Sequence, residues 1–198
     1  PENTIETMYR SIKYNNCIAL TCDIRYYYDK KKLWNAGGKF TWYGDRKYYT
    51  ENTINKYRDR GVTLIYAEFI TGCALMVDSK YIRKYGLFTE KFFHGEEDFN
   101  FCYCAKKRKK KLGVDLSVHL YHKVGQSLKP NINKERYFNA ITIHYCNRVI
   151  DFKSFYSKPR WYLWRELYLL LVVVKRTSSN LTLSDSIRLY RRVKYITS

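Results

Sequence analysis

Between Val114 and Tyr121 apolar and polar residues alternate without a break, with Val114, Leu116, Val118 and Leu120 set against Asp115, Ser117, His119 and Tyr121. Period-two spacing sends the two sets to opposite faces of a β-strand, and an apolar strand face is stable only beside other strands. The chain must therefore supply partners. Cys17 to Tyr28, Val62 to Ile70 and the apolar run Cys73 to Val77 are the candidates. Helical signals fall between them. Asn3 and Glu6 have capping-box spacing, and Ile5, Met8, Tyr9 and Ile12 recur at helical intervals, so a first helix is expected up to about Lys13. Asp78 or Ser79 can cap a short helix over Tyr81, Ile82 and Tyr85, with Gly86 closing it. Another is expected from Phe99 to about Lys111, stopped by Gly113. Lys30 to Asp59, punctuated by Gly37, Gly38 and Gly44, reads as loops and short strands.

Beyond Pro130 the pattern is helical throughout: Asn133 to Ile150, Trp161 to Lys175, and a helix capped by Ser184 that carries Ile187, Tyr190, Val193 and Ile196. The expected fold class is α/β, with residues 1–130 as one domain and 131–198 as a helical C-terminal extension. A length of 198 residues supports one sizeable core. The 21 Tyr, 10 Phe and 4 Trp argue against disorder, because so much aromatic surface must be packed or bound. The six cysteines form no CxxC pair and read as reduced, mostly core residues of a cytosolic protein. No apolar run reaches the roughly 20 residues that span a bilayer, and Pro1-Glu2-Asn3 does not open a signal peptide.

Charge narrows the function. Lys and Arg total 37 against 18 Asp and Glu, a formal +19, which calls for an anionic partner: nucleic acid, anionic lipid or a phosphorylated ligand. The run Lys106 to Lys111 is the densest block, and Lys107, Arg108 and Lys110 are its candidate phosphate contacts; a solvated helix end is the competing reading. From Arg160 to Arg176 aromatic and basic residues bracket an apolar stretch too short to span. This suits a helix lying at a membrane surface, with Trp161 and Trp164 as contacts, while a core helix is the alternative.

Gly95-Glu96-Glu97-Asp98 opens a helix with three acids. Carboxylates there complement the dipole and cap amides without further purpose. The functional reading is a carboxylate held at a cleft, where it takes a proton from a hydroxyl nucleophile. His122 follows the strand and could meet a metal or phosphate, or be a surface residue. GxGxxG, P-loop and GxSxG motifs are absent.

Taken in order, Thr71-Gly72-Cys73-Ala74-Leu75-Met76-Val77, Tyr85-Gly86-Leu87-Phe88-Thr89-Glu90-Lys91-Phe92-Phe93, Glu97-Asp98-Phe99-Asn100-Phe101-Cys102 and Tyr121-His122-Lys123-Val124-Gly125-Gln126-Ser127 resemble the inverting family 2 glycosyltransferases, rhamnosyltransferase-like members above all. Asn35-Ala36-Gly37-Gly38 looks like that family's Gly-Gly loop, and Tyr145-Cys146-Asn147-Arg148 is similar to its aromatic-x-Arg-Asn helix. The resemblance covers most of residues 1 to about 155. It implies a GT-A fold, Rossmann-like with a mixed sheet, whose donor-binding half would lie upstream of residue 1. It also implies transfer of a sugar from a nucleoside-diphosphate donor to a hydroxyl of a lipid-linked or polysaccharide acceptor, at the inner face of the cell membrane. Asp98 would be the general base and Glu97 its helper; Glu96, Gly72 and Asn100 would meet the acceptor, and His122 would contact a divalent cation (Mg or Mn) or the diphosphate. The chain departs from the pattern where Asn100 replaces an expected acid, Lys106 an expected Arg and Thr89 the Asp of Phe-Asp-Glu, and where Arg148 is displaced within its motif. The rival readings are a basic nucleic-acid-binding module and an inactive membrane-docking scaffold.

Overall fold

A computed structural model describes residues 3–86, 88–92, 95–123, 133–179 and 181–198. The chain divides into two compact units: residues 1–91 with 97–128, and residues 92–96 with 129–198. The first is a mixed α/β unit. Its elements in order are α1 (Thr4–Tyr14), β1 (Ala19–Tyr26), β2 (Leu33–Asn35), β3 (Gly38–Phe40), β4 (Arg46–Tyr48), α2 (Glu51–Arg58), β5 (Leu64–Ala67), β6 (Met76–Val77), α3 (Ser79–Tyr85), α4 (Glu97–Lys107) and β7 (Leu112–His122).

The alternating segment becomes β7, a central strand parallel to β1 on one side and antiparallel to β5 on the other. Because β7 covers one whole edge of β1, β2 and β6 share the opposite edge, one at each end. Parallel pairing of β1 and β7 requires a crossover, and α2, β5, α3 and α4 all lie within it. Ile12 and Met8 of α1 close over Cys17, Leu20, Cys22, Ile24 and Val118 to make the core. Each such large apolar side chain contributes about 1.5–3 kcal/mol on burial.

Several local expectations need correction. Asn3 caps α1 with a left-handed φ of 66° and no side-chain bond, and Glu6 pairs with Arg10 at 2.9 Å, so no capping box forms. Gly113 does not end α4; it lies buried inside β7, where a Cβ would stand 2.6 Å from a Leu20 methyl. The chain leaves α4 through Lys109, at φ 53°. The helix α2 lies in a segment whose sequence predicts loops and short strands, since Ile54 is its one buried residue and a single apolar position shows no period.

The second unit holds α5 (Lys134–Lys153), α6 (Lys158–Thr177) and α7 (Leu183–Ile196). Asn133 caps α5, accepting from the Glu135 amide at 3.0 Å. Thr182 rather than Ser184 caps α7, accepting from the Asp185 amide at 3.1 Å. The helices bury Phe138, Tyr145, Phe152, Trp161, Tyr168, Leu189 and Val193.

The carboxylate at the start of α4 as a candidate active site

The first turn of α4 carries Glu97 and Asp98, and its amides and dipole favour a negative charge there. What sets Asp98 apart is a second element. The hairpin β3–β4 turns through Thr41 to Asp45, Phe40 faces Arg46 across it, and Arg46 reaches Asp98 with Nη2 3.1 Å from Oδ1. The Arg46 guanidinium sits 4.8 Å from the Phe69 ring centre and 5.4 Å from that of Phe99, so two aromatic faces fix its direction. Phe99 is itself wholly buried. The other Asp98 oxygen accepts the Gly72 amide at 3.3 Å, from a 3-10 turn that Thr71 caps.

Asp98 is thus a largely buried carboxylate with named donors on both oxygens. Burial raises its pKa above the ordinary aspartate value; Arg46 and the Gly72 amide pull it down, while the like charge of Glu97 pushes it up, and the net direction is upward. A carboxylate whose proton affinity is raised, yet which is held in one orientation, suits proton abstraction from a hydroxyl.

The other sequence candidates fall in different places. Gly72 meets Asp98 through its backbone, and a Cβ there would lie 3.7 Å from that of Asp98. Glu97 is half-buried next to it. Asn100 accepts from the Cys104 thiol at 3.9 Å and lines a pocket of about 240 Å³ with Tyr81, Tyr85, Phe88 and Phe101, and Asp98 is not among that pocket's walls. Glu96 is a correction. It is wholly buried in the helical unit, its carboxylate gripped by Arg148 through Nε and, at 3.3 Å, through Nη2, and is therefore out of reach of an acceptor.

His122 does end β7, half-buried, with its ring 4.5 Å from that of Trp34. Among the described residues no group of three or more His, Cys, Asp or Glu could hold a metal. One imidazole against an indole is a poor cation site. In the basic run, Lys106 pairs with Glu68 at 2.8 Å, Arg108 bonds the Tyr81 hydroxyl at 3.3 Å over the Tyr85 ring, and Lys107 lies 6.0 Å from the Tyr103 ring centre. Lys110 is exposed. The block is thus partly packing: Arg108 is committed to two tyrosines.

The tryptophans of α6 also need correction as surface contacts. Trp161 is 1% exposed and donates its indole N–H to the Val149 carbonyl at 2.9 Å; Trp164 is stacked between Phe152 and Tyr168, at 4.4 and 4.8 Å. Sequence reasoning missed Arg46, because one Arg in a polar, aromatic segment carries no mark of its partner. The only available hint was Gly44, which signals a turn that would bring Phe40 and Arg46 opposite each other. No protein-family model matches the chain, and no curated protein matches it significantly.

Proposed function

We propose that this chain carries the acceptor-activating carboxylate of an inverting, GT-A-type glycosyltransferase. Asp98 takes the proton of an acceptor hydroxyl as that oxygen attacks the anomeric carbon of a nucleoside-diphosphate sugar, and the nucleoside diphosphate leaves from the opposite face. The acceptor class is a lipid-linked or polysaccharide hydroxyl. Arg46 and the Gly72 amide aim the carboxylate, and Glu97 adds the neighbouring charge that keeps its proton affinity up. The observation that carries this reading is the environment of Asp98: desolvated, raised in pKa and fixed at both oxygens. The motif order around it supports the same chemistry by resemblance.

The test is Asp98→Asn in the complete reading frame, assayed for transfer from a panel of UDP-, dTDP- and GDP-sugars. Asparagine keeps the shape and can accept from the Gly72 amide, but it cannot take a proton. A loss of about 10²–10⁴ in kcat with unchanged donor binding is expected. Full activity in the variant would leave Asp98 as a partner for Arg46 and nothing more.

A further inference from the structure

The helix α6 presents an aliphatic stripe that the described residues leave exposed to solvent. Leu163 is 65% exposed, Leu167 51%, Leu170 55%, Leu171 40% and Val174 68%, whereas Trp161, Tyr168, Leu169 and Val172 of the same helix are buried. The outward residues share one helix face, and Arg160, at one more turn in the same register, continues it at the N-terminal end. Lys175 is exposed at its C-terminal edge. The stripe runs about 16 Å along the axis. A bare aliphatic surface of this kind on a helix marks a contact site.

Charge identifies the occupant. Residues 133–198 hold thirteen Lys and Arg against four Asp and Glu. The one acid on α6, Glu166, is taken up by Arg165, Tyr190 and Lys194. A second copy of this chain would bring the same positive field, with thirteen cations to four acids in these helices and the α6 acid already taken up. No helix among the described residues is long and apolar enough to cross a membrane. A row of leucines with cations at both ends, and no hydrogen-bonding groups to select a protein partner, fits the headgroup boundary of an anionic bilayer. We propose that the Leu163–Val174 face of α6 lies flat in an anionic lipid surface, with Arg160 and Lys175 at the phosphates. The aromatic residues expected to make this contact face inward; the leucines replace them. This inference stands apart from the glycosyl-transfer reading, since it uses none of the residues around Asp98.

The experiment is vesicle flotation of the full chain. Phosphatidylglycerol–phosphatidylcholine vesicles are compared with phosphatidylcholine alone, at low and high salt, alongside the Leu167→Ser, Leu170→Ser double variant. Circular dichroism verifies the fold of the variant, which alters only exposed positions. Expected are capture by the anionic vesicles that partly survives high salt, little capture by the neutral ones, and a drop of about tenfold or more in partitioning for the variant. Equal capture of variant and parent, equal capture by neutral vesicles, or no capture at all would overturn the proposal. A parent dimer that the double variant dissolves, without flotation, would assign the face to a second copy instead.

Discussion

Arg46 and Asp98 form a pair in which each restrains the other, and their separation of 52 positions hides the pairing from any local reading. Arg46 lowers the Asp98 pKa against burial, so removing the guanidinium should move that pKa further up. For a general base the sign is direct: activity is lost as pH falls through the folded pKa. The acid limb of kcat/KM is expected above the ordinary aspartate range in the parent, and at still higher pH in Arg46→Met. A pH–rate profile checks this, and an unmoved limb would detach Arg46 from the base. A second carboxylate shows the opposite shift. Burial alone would raise Glu166, but hydrogen bonds from Lys194, Tyr190 and Arg165 hold it down at about 2. A depressed carboxylate stabilises above its unfolded value of 4.5 and loses that contribution as pH falls towards 2. Because Glu166 is a third exposed, screening reduces the effect to about 1 kcal/mol. Glu166→Gln should lower the melting temperature at neutral pH and flatten its fall between pH 4.5 and 2, as read by circular dichroism.

At the scale of elements, α6 shows how one helix separates two requirements. Its buried face is aromatic and hydrogen-bonded, its exposed face aliphatic, and both are apolar, so periodicity alone locates the helix without saying which face is inside. Trp161→Ala should cost about 3–5 kcal/mol, because it opens a cavity and removes the indole N–H that the Val149 carbonyl accepts. Leu167→Ala should cost under about 0.5 kcal/mol. Urea unfolding of the two variants makes the comparison, and similar losses would refute the assignment of faces. The same limit explains what was legible elsewhere. The strand β7, the helix α3 between Asp78 and Gly86, and the three C-terminal helices follow from period and caps. The capping box at Asn3 and the stop at Gly113 failed because each depends on a φ angle or a close strand approach set by tertiary packing. At the candidate site, three acids open a helix in the sequence, and only the motif resemblance singles out Asp98 among them. Its donors could not be read, since an amide at Gly72 and a guanidinium at Arg46 reach it only through the fold.

Across the whole molecule, one acidic tripeptide serves two compact units. Glu97 and Asp98 begin α4, while Glu96 belongs to the helical unit, where it neutralises the buried Arg148. A buried cation deprived of its carboxylate costs about 3–5 kcal/mol. A fragment of residues 133–198 lacks Glu96 and should therefore be less stable than the three-helix packing alone would suggest. Arg148→Met should raise the melting temperature of that fragment but lower that of the full chain, where it would take from Glu96 the guanidinium that grips it. Calorimetry on the four proteins gives the sign of each change; a shift in the same direction in both would show that the pair does not bind these segments together.

The tight pair Gly37-Gly38 bears on what the motif resemblance reports. Gly37 has φ 73°, and a Cβ on it would stand 2.9 Å from the Phe69 carbonyl; one on Gly38 would come within 2.4 Å of the Lys47 carbonyl. Two successive positions thus admit one amino acid of the twenty, because of a left-handed φ at the first and close neighbours at both. Any chain that builds this hairpin against this strand is driven to the same two letters, whatever reaction it performs or has lost. As information, the glycine pair testifies to architecture, and the testimony about chemistry rests with a single replaceable carboxylate, Asp98.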